Sequence, residues 1–340
     1  MKVISLFDGI SCARVALERA GIPVEVYYAS EVDKYASQIA QKNFPDTVQL
    51  GDIKNISFTN KFGYDVDLII GGSPCQDLSI AKKDRKGLNG ERSGLFWEYL
   101  RILREVKPKW FVLENVASMP REAKEVITKE LGVESIMINA SLVSAQNRKR
   151  LFWTNIPNVS QPNDKGILLK DVLETDNENV RACSLRGRYM VNRKRKDVRG
   201  MKTQQRLEIG GDKANSLTTV TKDSLVFIGG IGKKDWVGDG RCFSRNYPQG
   251  QRVYSPEGKS PTLSANGGGL GEKTGLYEID GDIRKLTPVE CERLQCLPDN
   301  YTEGISNTQR YKCLGNAFNV EVVSHILSFM TKQPKVEGER

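Results

Sequence analysis

"KVISLFDGISCARVALERA", residues 2–20, runs from an apolar strand pattern through a turn at Gly9 into a helical spacing from Ser11 to Ala20. A strand that feeds a helix through so short a turn is the first half of a β–α–β unit. The alternation continues to about residue 155. Further strands are expected at "VEVYYAS" (24–30), "VQL" (48–50), "VDLII" (66–70), "WFVLEN" (110–115), "SIMINA" (135–140) and "RLFWTNI" (150–156). Helical spacing falls between them, from Asp33 to Asn43, Gly94 to Val106 and Arg121 to Leu131. The fold class this predicts is α/β and Rossmann-like, a mostly parallel sheet with helices on both faces.

The texture changes from about residue 180 to 283, where glycine is dense, helical periodicity is lost and short β-like runs such as "SLVFIGGI" alternate with turns. A smaller, irregular, β-rich second domain is expected there, as a chain of 340 residues also suggests. Helices return near the end. "LTPVECERLQ" offers Thr287 as N-cap, Pro288 at the first helical position and Glu290 as its capping-box partner. "NVEVVSHILSFM" (319–330) has a helical apolar spacing, and His325, the one histidine of the chain, is expected to be structural within it.

Composition narrows the class. Hydrophobic residues at 39% and charged residues at 27% suit a globular protein, and no apolar run reaches membrane-span length. The start goes directly into a strand pattern, so no secretory signal is expected. Seven cysteines with no C-x-x-C pair and one histidine argue against a metal site and for free thiols in a reducing cytoplasm. The net charge of +9 is uneven: Arg181 to Arg206 holds ten basic residues against one acid, Asp197. That cluster, including Arg193, Lys194, Arg195 and Lys196, is either a solvated loop or a surface that displaces counterions from a phosphate backbone.

In an open parallel sheet, ligands bind beyond the carboxyl ends of the strands. The first strand ends in "LFDGIS", the second in "SEVD" with Glu31, and the third in "GDI" with Asp52. An acid on the second strand end suits a ribose diol, and Asp52 is placed to accept from an adenine amino group. Because the glycines of a pyrophosphate loop are missing, S-adenosylmethionine fits better than a dinucleotide. At the fourth strand end stands "GGSPCQDLS" (71–79) with Cys75, and at the fifth "ENV" with Glu114. A buried cysteine and a strand-end acid paired with a lysine would explain either residue alone. Together they suggest thiolate addition to an electron-poor heterocycle whose ring nitrogen is hydrogen-bonded by a carboxyl. "SAQNRKRLFW" (144–153) adds Arg148 and Arg150, either surface cations or a guanidinium clamp for a carbonyl or phosphate.

In order along nearly the whole chain, these segments resemble the motifs of the cytosine-C5 DNA methyltransferases. "LFDGIS", "SEVD" and "GDI" are similar to the family's cofactor motifs, and "GGSPCQDLS" to its Pro-Cys nucleophile motif. "ENV" is similar to the glutamate motif and "QNRKR" to the Gln-x-Arg-x-Arg motif. "RKLTPVECERLQCLPDNY" (284–301) and "LGNAFNVEVV" (314–323) look like the two closing motifs. One position departs, for Ser11 stands where the family's F-x-G-x-G pattern has its second glycine. "LFDGI" and "SEVD" are closest in wording to the animal de novo enzymes.

The resemblance implies a methyltransferase fold, with a catalytic domain of residues 1–178 and 313–334, a target-recognition domain and hinge over 179–312, and a tail at 335–340. It implies S-adenosylmethionine held by Phe7, Asp8, Gly9, Ile10, Glu31, Val32, Asp52, Ile53, Ser73, Pro74, Leu95, Asn316 and Ala317. Phe7 would stack on the adenine and Glu31 bind the ribose. Cys75 would attack C6 of a cytosine, Glu114 hold N3, Arg150 contact O2 and Arg148 support it. The target atom lies inside a duplex stack, so the base must be flipped out. Gln76, Ser79, Lys82 and Arg85 would act with the basic cluster on double-stranded DNA, in a segment from Gln76 to Arg92 that closes over the base. A monomer on DNA, in the cytoplasm of a bacterial or phage-infected cell, is the implied setting. Three rivals stay open: a tRNA cytosine-C5 methyltransferase of the same family, a non-catalytic DNA-binding relative, and a nicotinamide-dependent oxidoreductase.

Overall fold

The structure is a computed structural model. It describes residues 1–57, 65–74, 94–174 and 282–331 without a break, with strands and short segments between 183 and 279. Seven strands form the main sheet: β1 (Lys2–Leu6), β2 (Val26–Ser30), β3 (Val48–Gln49), β4 (Leu68–Gly72), β5 (Trp110–Val116), β6 (Ser135–Asn139) and β7 (Lys149–Thr154). Their order is β3-β2-β1-β4-β5-β7-β6. All pairs are parallel except those of β7, which runs antiparallel to both β5 and β6.

Strand alternation sorts the core into two layers. Val3 of β1 and Leu68 and Ile70 of β4 face one layer, which also holds residues of α1 (Cys12–Arg19), α2 (Lys34–Asn43), α5 (Pro288–Leu294), α6 (Asn307–Asn316) and α7 (Val320–Ser328). Ile4, Leu6 and Ile69 face the other, with residues of α3 (Leu95–Val106) and α4 (Arg121–Leu131). The doubly covered, mostly parallel sheet expected from the alternation is therefore present. Local signals set its helix ends. Asp33 caps α2 by accepting from the Tyr35 and Ala36 amides, and Thr287 with Glu290 closes the capping box of α5. His325 lies in α7, its Nε2 2.8 Å from the Ser160 carbonyl oxygen.

In the second region, β8 (Cys183–Arg188) pairs with β11 (Gln204–Ile209), and β9 (Met190–Val191) pairs with β10 (Lys194–Arg195). Four more strands, β12 (Phe227–Gly230), β13 (Arg252–Tyr254), β14 (Leu276–Ile279) and β15 (Asp282–Arg284), form another small sheet. A strap at 258–262 docks on the main domain. Ser260 N donates to the Ala145 carbonyl at 2.8 Å, and Asn147 N to the Ser260 carbonyl at 2.9 Å. The expected domain boundary at residue 313 falls inside α6. Among the described residues, no helix is long and apolar enough to cross a membrane.

Candidate functional site

The strand order reverses at β1, which has β2 on one side and β4 on the other. A crevice opens at such a switch point, beyond the carboxyl ends of the strands. The first turn there is tightly wound: Phe7, Gly9 and Ser11 have φ of 59, 62 and 60°. Glu31, at the end of β2, is held by backbone donors. Its Oε2 accepts from Gly9 N at 2.8 Å, and its Oε1 from Val32 N at 2.8 Å and Asp33 N at 2.7 Å. Two carboxylate oxygens offer about four lone-pair sites, so these three bonds fix the group and leave acceptor capacity for a diol. Val32 beside it is 73% exposed, an apolar side chain left open on the crevice rim.

Asp52 follows β3. Its Oδ1 accepts from Lys54 N at 3.0 Å, and Ser30 Oγ donates to the Gly51 carbonyl at 2.7 Å, tying the second and third strand ends together. Ile10 and Ile53 are buried in the two core layers, while Leu95 starts α3 half-buried. Asn316 is exposed at the end of α6 and Ala317 is buried beside it. Phe7 and Val32 offer apolar faces, Glu31 a carboxylate and Asp52 an acceptor, a set of apolar faces and acceptors that fits an adenosine. Asp8 departs from the expected role. Its side chain turns into the core, where it accepts from Ser11 Oγ at 2.6 Å and Tyr27 Oη at 2.7 Å. Burial pushes its carboxyl above the usual range.

One strand further, Gly72 of β4 lies in register with Glu114 of β5. Glu114 Oε1 is 2.7 Å from Arg150 Nε, and both side chains are largely shielded. Arg150 also donates from Nη1 to the Lys149 carbonyl at 2.9 Å. Arg148 is buried and does another job: its Nη2 donates to the Ala317 carbonyl at 2.8 Å, so it braces the chain after α6. Glu114, Arg148, Arg150, Phe152, Phe318 and Val322 line a small recess. Ser73 and Pro74 lead out of β4 toward Cys75, and Asn115 anchors that turn. Its Nδ2 donates to Ser73 Oγ at 3.0 Å, and its Oδ1 accepts from Val116 N at 2.8 Å.

Asn115, Phe318 and Lys312 were given no role by sequence reasoning. Asn115 stands inside the quoted "ENV", so its place next to the acid was the available signal. Lys312 Nζ lies 2.6 Å from Asp33 Oδ2, pinning α6 to the Glu31 turn. That ion pair joins residues far apart in the chain and left no local pattern.

Cys75, Gln76, Ser79, Lys82, Arg85, Arg193 and Lys196 lie outside the described residues, while Lys194 and Arg195 form β10. Burial pushes the thiols of Cys12, Cys291 and Cys313 up, Cys313 to about 12. A thiol so raised makes a poor thiolate nucleophile, which leaves these three suited to packing. Among the described residues, no group of three His, Cys, Asp or Glu side chains is placed to hold a metal ion.

The profile of the family described as C-5 cytosine-specific DNA methylase matches residues 1–332. The type II methyltransferase M.HhaI of Haemophilus parahaemolyticus is 32% identical over 344 residues, covering 96% of this chain and 93% of that one. The orphan methyltransferase M.Rho11sI of Bacillus phage rho11s is 30% identical over 311 residues, covering 83% of this chain; the match spans 61% of that relative's length. Among solved structures, a putative DNA modification methyltransferase from an E. coli prophage superposes with a TM-score of 0.61 at 21% identity, covering 97% of this chain and 98% of that one. The S. pombe Dnmt2 methyltransferase gives 0.61 at 16% identity, covering 98% of each chain. At these identities the two structures speak for the fold.

Proposed function

The chain belongs to the C-5 cytosine-specific DNA methylases, and from that premise we propose that it transfers a methyl group from S-adenosylmethionine to C5 of a cytosine flipped out of duplex DNA. The observation that carries the reading is the pair at the fifth strand end. Glu114 and Arg150 sit 2.7 Å apart beside Gly72, three residues before Cys75. A carboxyl and a guanidinium side by side match the N3 and O2 edge of a cytosine.

Phe7 and Val32 enclose the adenine, Glu31 takes the ribose hydroxyls, and Asp52 with Ile53 frames the adenine edge. Leu95, Asn316 and Ala317 close the pocket. When bound there, S-adenosylmethionine supplies an electrophilic methyl group. Glu114 holds N3 through a hydrogen bond and draws electron density from the ring, while Arg150 steadies O2. The Cys75 thiolate then adds to C6, and the electrons of the C5–C6 double bond move onto C5. C5 would then take the methyl group as its bond to the cofactor's sulfonium sulfur breaks, leaving the thioether S-adenosylhomocysteine. Loss of the C5 proton to a base restores the double bond as the Cys75–C6 bond breaks and the thiolate leaves. Arg148 acts through position, holding the chain around Ala317 against the recess. No histidine is required, because ring activation replaces strong activation of the thiol.

Residues 179–312 carry target recognition in this reading, and the basic cluster around Arg193–Lys196 together with Lys82 and Arg85 meets the phosphate backbone. The protein works as a monomer on DNA in a bacterial or phage-infected cytoplasm, in keeping with bacterial and phage relatives named as type II or orphan methyltransferases. Labelled methyl transfer to duplex DNA and to tRNA, followed by bisulfite sequencing, tests the proposal. Label in DNA at C5 of cytosine is the expected result; label confined to tRNA would overturn the choice of substrate.

A further inference from the structure

The turn that follows β1 contains three left-handed residues, and only one of them is glycine. Gly9 adopts φ of 62° freely, whereas Phe7 at 59° and Ser11 at 60° carry a Cβ that crowds the following carbonyl. Something must hold the turn in this shape. Ser11 precedes α1 at the cap position, yet its side chain makes no capping bond to the helix. Its hydroxyl donates instead to Asp8 Oδ2 at 2.6 Å. The other oxygen of that carboxyl accepts from Tyr27 Oη at 2.7 Å. All three side chains are buried, Ser11 and Tyr27 fully and Asp8 to within 5%. Tyr27 belongs to β2, in register with Val3 of β1, so the phenol reaches the turn from a fixed strand.

We propose that Asp8, Ser11 and Tyr27 form a buried lock that positions the cofactor turn, with Asp8 acting through the turn rather than on the ligand. The inference rests on reading this crevice as the S-adenosylmethionine pocket. The lock stands in for the glycine that the family pattern has at residue 11. A glycine accepts the left-handed shape through the absence of a Cβ; Ser11 is held in it by the hydrogen bond to Asp8. Two groups of the pocket depend on the shape. Phe7, one residue before Asp8, presents the adenine platform. Gly9 N, one residue after it, donates to Glu31 Oε2 at 2.8 Å and so fixes the ribose acceptor. A turn ordered before the ligand arrives spares the ordering entropy of binding. Loosening the lock therefore weakens adenosine recognition without touching groups at the reacting cytosine.

Titration with S-adenosylmethionine and S-adenosylhomocysteine, with hydrogen exchange of the ligand-free protein, tests this on Ser11→Ala, Ser11→Gly, Asp8→Asn and Tyr27→Phe. Ser11→Ala should weaken both ligands about tenfold, a loss of about 1.4 kcal/mol. Its cofactor KM should rise in step while kcat at saturation stays within about threefold. Ser11→Gly should lose only about threefold, because glycine accepts the turn without the bond. Asp8→Asn combined with Ser11→Ala should lose less than the sum of the two single losses, since both act on one hydrogen-bonded cluster. The amides of residues 7–12 should exchange faster in Ser11→Ala, Asp8→Asn and Tyr27→Phe. Unchanged affinity and exchange in Ser11→Ala, or equal losses from alanine and glycine, would overturn the lock. Failure of the wild-type protein to bind either ligand would instead overturn the pocket assignment, and the exchange result would still decide the lock.

Discussion

Glu114 and Arg150 meet diagonally across two antiparallel strands, with Oε1 2.7 Å from Nε. Register explains the pairing. Glu114 lies opposite Phe152, and Arg150 is two residues from Phe152 on the same strand and so on the same face. Diagonal neighbours of this kind lie within reach of long side chains. The antiparallel insertion of β7 is what brings the arginine to the acid, because β7 starts at the carboxyl edge of β5, with Arg150 opposite Val116.

Replacing Arg150 with alanine should lower kcat for methyl transfer about 100- to 1,000-fold, the range seen when one preorganised donor is removed from a reacting oxygen. Arg150→Lys should recover only part of this, because an ammonium lacks the planar fork. Cofactor affinity should stay near wild type in both variants, which single-turnover kinetics beside cofactor titration would check.

The strand-end glycines should separate fold from catalysis. A Cβ at Gly71 would come 2.7 Å from the Leu6 carbonyl oxygen, which the sheet holds in place. Gly71→Ala should therefore destabilise the protein by about 1–3 kcal/mol, read by denaturant unfolding. At Gly72 the Cβ would meet Phe318 Cε1 at 2.7 Å and Glu114 Oε2 at 3.0 Å, both side-chain atoms. Gly72→Ala should depress kcat more than stability, and Phe318→Leu in the same chain should restore part of the rate.

The Lys312–Asp33 ion pair makes a pH prediction. Burial pushes the Asp33 carboxyl up, but the Lys312 ammonium and the Ala36 and Tyr35 amides outweigh it and hold the group below its usual 3.8. A carboxyl lowered on folding stabilises the native state above its unfolded value and loses that contribution as pH falls through its folded value. Lys312→Met should thus lower Tm at neutral pH. The gap to wild type should narrow once the pH drops below 3.8, as calorimetry at a series of pH values would record.

Neutralising Arg193, Lys194, Arg195 and Lys196 together should weaken DNA binding and flatten its dependence on salt. The log–log slope should fall by up to about 0.9 for each phosphate that the protein no longer neutralises. An unchanged slope in fluorescence anisotropy titrations would place the DNA on another surface.

What could be read from the sequence was what local pattern dictates. The strand-to-helix alternation around Gly9, the capping box of Thr287 and Glu290, and the strand ends bearing Glu31, Asp52 and Glu114 all depend on neighbours a few residues away. What could not be read depends on pairing between distant segments. The place of β7 between β5 and β6 is of this kind, as is the hold of Arg148 on the Ala317 carbonyl, 169 residues along the chain. The resemblance of "LFDGIS" to the family's first cofactor motif makes Asp8 an expected cofactor ligand. Only the depth of Tyr27 and the left-handed turn at Ser11 show that its carboxyl points the other way.

Covalent trapping bears most directly on the central claim, that Cys75 adds to C6 of a cytosine while Glu114 and Arg150 hold the ring. In duplex DNA whose target cytosine carries fluorine at C5, the adduct cannot shed that atom as it would a proton, so it should persist. Incubation with S-adenosylmethionine should give a protein–DNA species stable to denaturant, with mass spectrometry placing the link on Cys75, and Cys75→Ser should give none. Absence of the species from wild-type protein that methylates ordinary DNA, or a link on any other residue, would contradict the account.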